Sequence, residues 1–155
     1  MSEICPQLLI GEYPRPEDAA WLKQEYHITA VQNLQDNADL KINGIDVRAL
    51  EDAYHKSGIR FARTPIPDSG ADAMSAHLKE ALEQLKILID DHQRVLLHCN
   101  GGLNRAPTLA IAFMRAYCGM SLDEAMAHVK RRRACGPYLT ILEDYFGPRD
   151  YKPRS

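Results

Sequence analysis

Two rhythms of apolar and polar residues alternate along this 155-residue chain. Short runs that are apolar or β-branched, bounded by turn residues, predict strands at 7–11 (QLLIG), 28–34 (ITAVQNL), 59–66 (IRFARTPI) and 94–98 (RVLLH). RVLLH follows a polar break and is apolar on successive positions, which predicts a strand covered on both faces in the interior of a sheet. Between the strands runs a helical period, strongest where Met74, Leu78, Ala81, Leu82, Leu85, Leu88 and Ile89 recur with Lys79, Glu80, Glu83 and Lys86 between them. Further helices are expected at 17–26, behind Pro14 and Pro16, at 45–54, and at 108–117, which is apolar nearly all round. The capping pair Ser121 and Glu124 opens another at 122–133, and the break at Gly136 and Pro137 precedes a last one at 138–146. Residues 36–44 are polar and turn-rich and predict a surface connection, while 67–73 (PDSGADA) carries the densest loop signal.

Strands alternating with helices imply an α/β domain, with a central four- to five-stranded, mostly parallel sheet and helices on both faces. The length suits one domain over 1–155, with a core from about 6 to 147 and a frayed tail from 148. In such sheets ligands bind beyond the carboxyl ends of the strands.

Composition narrows the partners. Nineteen basic against 21 acidic side chains leave a net charge of −2, so the bulk balance suggests neither nucleic acid nor an anionic membrane. No stretch approaches the ~18 apolar residues of a membrane span, and the N-terminal MSEICPQLLIG lacks the layout of a signal peptide. Cys5, Cys99, Cys118 and Cys135 form neither a C-x-x-C pair nor a disulfide framework, and His27, His55, His77, His92 and His128 have no metal-ligand spacing. A monomer in the cytoplasm, with free thiols and with no cofactor or metal, is the expectation.

The chemistry gathers in HCNGGLNRAP, residues 98–107, immediately after the buried strand. Gly101 and Gly102 permit backbone angles that a side chain forbids, so the N–H groups of Asn100, Gly101, Gly102, Leu103, Asn104 and Arg105 can curl into an anion nest at a helix N-terminus. Pro107 suits the first turn of a helix beginning near Ala106. Arg105 offers a guanidinium fork for two phosphoryl oxygens. The same charge and amides favour the thiolate form of Cys99, and His98 is expected to support the loop through a backbone hydrogen bond.

At these residues the chain resembles the cysteine-dependent dual-specificity phosphatases, whose signature H-C-x-x-G-x-x-R is matched by His98, Cys99, Gly102 and Arg105. The resemblance extends over nearly the whole chain. It implies a general-acid aspartate on a loop some thirty residues upstream, and Asp68 in TPIPDSGAD lies 31 residues before Cys99. Asp72 is the reserve for that role. This order sets the chain apart from low-molecular-weight tyrosine phosphatases, whose loop is N-terminal, and from rhodanese-like proteins, which lack the upstream acid. NLQDNADLKINGIDV, LLHCNGGLNRAPTLAIAFM and KRRRACGPY further resemble segments of the plant glucan phosphatases. Those enzymes hold sugar chains on aromatic platforms, for which Tyr13, Tyr54 and Tyr138 are the available residues here.

The resemblance implies two-step hydrolysis of a phosphomonoester through a cysteinyl-phosphate, with Cys99 as nucleophile, Arg105 and the loop amides as oxyanion holders and Asp68 as acid and then base. A phosphoprotein bearing phosphotyrosine, phosphoserine or phosphothreonine is the leading substrate class. A phosphoglucan or phosphoinositide is the second, and a weakly catalytic phosphate-binding module is the third reading. Most of the family carry a hydroxyl after the arginine, where this chain has Ala106, so hydrolysis of the intermediate is expected to limit turnover in part. Thr108 is expected to be turned away from that task. Residues 130–133 (KRRR) are expected to be a solvated helix end, and Trp21 a core residue.

Overall fold

A computed structural model describes residues 1–153. Its sheet is built from β1 (Ser2–Cys5), β2 (Leu8–Gly11), β3 (Ala30–Asn33), β4 (Arg60–Arg63) and β5 (Val95–His98), in the order β1-β2-β5-β3-β4. Four strands are parallel. Only β1 runs antiparallel, against β2.

Side chains on successive strand positions enter opposite layers, as the pleat requires. Leu8, Ile10, Ala30, Val95 and Leu97 pack with α4 (Ala71–Asp90), α5 (Arg105–Tyr117), α6 (Leu122–Arg132) and α7 (Leu139–Phe146). Leu9, Val31 and Leu96 face α1 (Ala19–Tyr26), α2 (Asn37–Ile42) and α3 (Val47–Lys56). The chain therefore leaves β2 and β3 toward one face and β5 toward the other. Residues 99–104 lie at the carboxyl end of β5, between these diverging connections, the position at which sheets of this kind bind ligands.

The expected sheet with helices on both faces is present, and four local expectations need correction. Residues 36–44 are not a mere connection: Asp36 accepts from the Asp39 N–H at 2.8 Å, Asp39 accepts from the Asp36 N–H at 2.9 Å, and this capping box starts α2. β1 lies outside the predicted strands because one core residue, Ile4, is its whole apolar signal before Pro6. Trp21 is not core; it is 47% exposed and edge-on to Tyr26, while Ala19 and Leu22 bury the inner face of α1. Within the tail expected to fray, Arg149 accepts from the Asp123 N–H at 3.0 Å and Tyr151 lies beneath the Arg115 guanidinium. Tail residues 154 and 155 lie outside the described residues. Among the described residues no helix is long and apolar enough to cross a membrane.

Candidate active site

The loop 99–104 hangs between the last residue of β5 and the first turn of α5, and its carbonyl oxygens can be accounted for one by one. Cys99 O faces His98 Nδ1 at 2.9 Å, and Asn100 O accepts from the Tyr13 N–H at 2.9 Å. Gly101 O and Gly102 O accept from Arg133 Nη2 and Nε at 2.9 and 2.7 Å. Leu103 O accepts from the Gly136 N–H at 2.7 Å, and Asn104 O from the Thr108 N–H and hydroxyl at 3.0 and 2.7 Å. A trans peptide holds each C=O antiparallel to the next N–H, and there is no cis bond among the described residues. Carbonyls 99–104 tied to donors outside the loop thus turn the N–H groups of 100–105 into it. That is the nest an oxyanion needs.

Gly102 is indispensable to this shape. Its φ is +68°, and a Cβ would stand 2.7 Å from Gly11 O and 2.6 Å from Arg133 Nη2. α5 starts at Arg105, so its first-turn N–H groups add to the same positive end, and Pro107 sits where no intrahelical donor is required. His98 is fully buried, and burial pushes its pKa down to about 4. It is neutral near pH 7, with Nδ1–H donated to Cys99 O and Nε2 without a partner among the described residues.

Arg105 is likewise buried, and its side chain joins three elements. Nη1 donates to Asp39 Oδ2 and to Ile66 O, both at 2.7 Å, and Nη2 lies 3.7 Å from Asp68 Oδ2. Asp39 was not singled out by sequence reasoning; the signal that finds it is the capping pattern D-N-A-D at 36–39. Burial acts to raise its pKa, but hydrogen bonds and charge from Arg105 and the Asp36 N–H outweigh that and hold it below the usual carboxylate value. Asn100 completes the cluster. Its Nδ2 donates to Asp39 Oδ1 at 2.9 Å, while its Oδ1 accepts from Gln35 Nε2 and Asn43 Nδ2 at 2.8 and 3.1 Å.

Asp68, by contrast, is half-exposed on the loop between β4 and α4, beside the Arg105 guanidinium. Asp72 stands in the first turn of α4, exposed. Cys99 is buried at the base of the loop, and Leu103 and Asn104 are exposed at its rim. Ala106 is fully buried. The Thr108 hydroxyl is engaged on both sides, donating to Asn104 O and accepting from the Tyr138 N–H at 2.9 Å.

Two further expectations are corrected here. Of the basic run, Lys130, Arg131 and Arg132 are exposed, but Arg133 folds back onto the loop and is half-buried. Tyr54 is fully buried beside Phe61 and offers no platform, whereas Tyr13 and Tyr138 flank the loop and are half-buried.

Residues 9–138 match the family described as dual specificity phosphatase, catalytic domain. The chain is 30% identical over 144 residues to the phosphoglucan phosphatase DSP4, amyloplastic, of Castanea sativa, a match covering 90% of this chain and 38% of that protein. Over 131 residues it is 29% identical to dual specificity protein phosphatase 2 of Homo sapiens, covering 84% of this chain and 37% of that one. It thus spans well under half the length of these curated relatives. Among solved structures, Tk-PTP in its active form superposes with a TM-score of 0.76 at 24% identity, over 92% of this chain and 93% of that chain.

Proposed function

The chain belongs to the dual-specificity phosphatase catalytic-domain family, and from that premise we propose that it hydrolyses phosphomonoesters through a cysteinyl-phosphate intermediate. The observation that carries this reading is the bonding of every carbonyl from Cys99 to Asn104 to a donor outside the loop, which supports an inward direction for the six N–H groups that follow them. In the first step the Cys99 sulfur forms a bond to phosphorus in line with the departing oxygen, whose bond to phosphorus breaks. The N–H groups of 100–105 and the Arg105 guanidinium hold the three equatorial oxygens. Asp68 gives its proton to the leaving oxygen. In the second step water attacks phosphorus, Asp68 takes the water proton, and the sulfur leaves with its electron pair. None of these steps calls on a cofactor.

Asp68 has the position for an acid: it sits on an open loop beside Arg105. Asp68→Asn is expected to slow turnover of phenyl phosphate at neutral pH by about 100-fold or more, and to slow p-nitrophenyl phosphate less, because that leaving group needs less protonation. Steady-state kcat/KM on the two esters, which reports the first step, checks this; an unchanged kcat/KM on phenyl phosphate transfers the role to Asp72.

Ala106 provides no hydroxyl to assist departure of the sulfur, and Thr108 Oγ1 is occupied by Asn104 O and the Tyr138 N–H. Rapid-quench kinetics are expected to show a burst of phenol before the steady state, and Ala106→Ser to raise the steady-state rate. A linear onset removes the claim that hydrolysis of the intermediate is rate-limiting.

For substrate, the reading is a phosphoprotein bearing phosphotyrosine, phosphoserine or phosphothreonine. The rim of the loop at Leu103 and Asn104 is open and uncharged, which suits a monophosphate more than a polyanion. The likeness to the phosphoglucan phosphatase of Castanea sativa supports a second reading, a phosphoglucan substrate with Tyr13 and Tyr138 beside the site. Rates on phosphotyrosyl peptide, phosphothreonyl peptide, phosphoinositide and amylopectin separate these. A reaction that depends on a free thiol suits the reducing cytoplasm.

A further inference from the structure

Gly101 O and Gly102 O differ from the other loop carbonyls in what holds them. Cys99 O, Asn100 O, Leu103 O and Asn104 O face donors of the main chain or of a residue next to or one helical turn away from them. Among the described residues the two glycine carbonyls are held by one side chain only, that of Arg133, one residue past the end of α6.

That side chain is itself fixed from behind. Nη1 donates to Ser2 Oγ at 3.1 Å and to Ile10 O at 3.4 Å, so the guanidinium plane spans β1, β2 and the loop. The two peptide units it secures, 101–102 and 102–103, flank Gly102, and Gly101 has only the side chain of Leu103 near its Cβ position. Without a donor outside, each can rotate at small steric cost. Rotation would turn the N–H of Gly102 or Leu103 outward and set a carbonyl oxygen against the phosphate.

We propose that Arg133 is a positioning residue for the phosphate loop, which keeps the Gly102 and Leu103 N–H groups directed at the substrate oxyanion by binding the preceding carbonyls from outside. This rests on the reading of the loop as a phosphate site. Geometry and not charge is the essential property: a guanidinium presents Nε–H and Nη2–H side by side to two carbonyls, and an ammonium cannot reproduce that fork.

The test compares wild type with Arg133→Met, Arg133→Lys and, as a neighbouring charge control, Arg132→Met, using p-nitrophenyl phosphate turnover and tungstate as a competitive inhibitor. Arg133→Met and Arg133→Lys are each expected to raise the tungstate inhibition constant and lower kcat/KM together by about tenfold or more, while Arg132→Met matches wild type. Circular dichroism confirms that each variant is folded; if Arg133→Met is not, Arg133→Gln takes its place, with a loss expected in the same two quantities. Wild-type tungstate affinity in folded Arg133→Met or Arg133→Gln overturns the proposal. So does full recovery in Arg133→Lys, since charge alone would then suffice. A wild-type protein that neither turns over the ester nor binds tungstate refutes instead the phosphatase reading on which it rests.

Discussion

Cys99→Ser is expected to lower turnover of p-nitrophenyl phosphate by roughly 10⁴-fold or more, about 5.5 kcal/mol in the barrier, while leaving tungstate affinity within a few-fold of wild type. The two halves of this result come from different parts of the loop. The nucleophile is a single atom, and a serine hydroxyl at neutral pH is a far weaker one than a cysteine sulfur with no base at hand to activate it; His98 is neutral and already bonded to Cys99 O. The oxyanion cradle is made by Tyr13, Thr108, Arg133 and Gly136 acting on the loop carbonyls. None of these contacts involves the sulfur, so exchanging sulfur for oxygen leaves them in place. Isothermal titration with tungstate and a steady-state assay on the same preparation make the comparison. Residual turnover above about 1% of wild type removes Cys99 from the nucleophile's role.

The second large effect concerns Asp39. Asp39→Asn is expected to cost stability on the order of 3–5 kcal/mol and to weaken tungstate binding. Arg105 and Asp39 are 3% and 7% exposed at the side chain, so each is the other's main substitute for water. Removing the carboxylate leaves a buried guanidinium with only the half-exposed Asp68 carboxylate as counter-charge and turns an amide toward its N–H donors. The arginine fork then loses the contact that fixes Nη1 and leaves Nη2 toward the Asp68 side of the site. The pH dependence has a definite sign. A carboxyl held below its ordinary value contributes stability that is fully present above about 3.9, and that contribution is lost as pH falls through the lower folded value. Urea denaturation of wild type and Asp39→Asn at pH 7 is expected to show a gap that narrows on acidification. Equal midpoints at pH 7 refute the claim that this pair holds the site together.

Much of the fold was legible in the sequence because the strong elements carry their own period. α4 repeats Met74, Leu78, Ala81, Leu82, Leu85 and Leu88 on its buried side, and β5 has no polar face to disguise it. The loop was legible because its glycines and arginine have few other uses in that order between a buried strand and an apolar helix. What escaped depends on long-range contact. α2 has no apolar stripe beyond Leu40, since its inward side is spent on a carboxylate for Arg105, 66 residues away. Arg133 looked like its three neighbours, and only the chain reversal after α6 separates it from them. Trp21 misled in the opposite direction, because a short outer helix meets its needs with Ala19 and Leu22.

The donors that shape the loop come from Tyr13, Thr108, Arg133 and Gly136, on either side of it in the chain. A chain synthesised only as far as Tyr117 already contains the cysteine, the arginine and both glycines, yet lacks what holds Gly101 O, Gly102 O and Leu103 O. Its loop would be a cysteine-bearing turn with no fixed appetite for anions. The ties on these carbonyls reach as far along the chain as Gly136, so a chain cut before Arg133 is expected to bind tungstate far more weakly than the whole one.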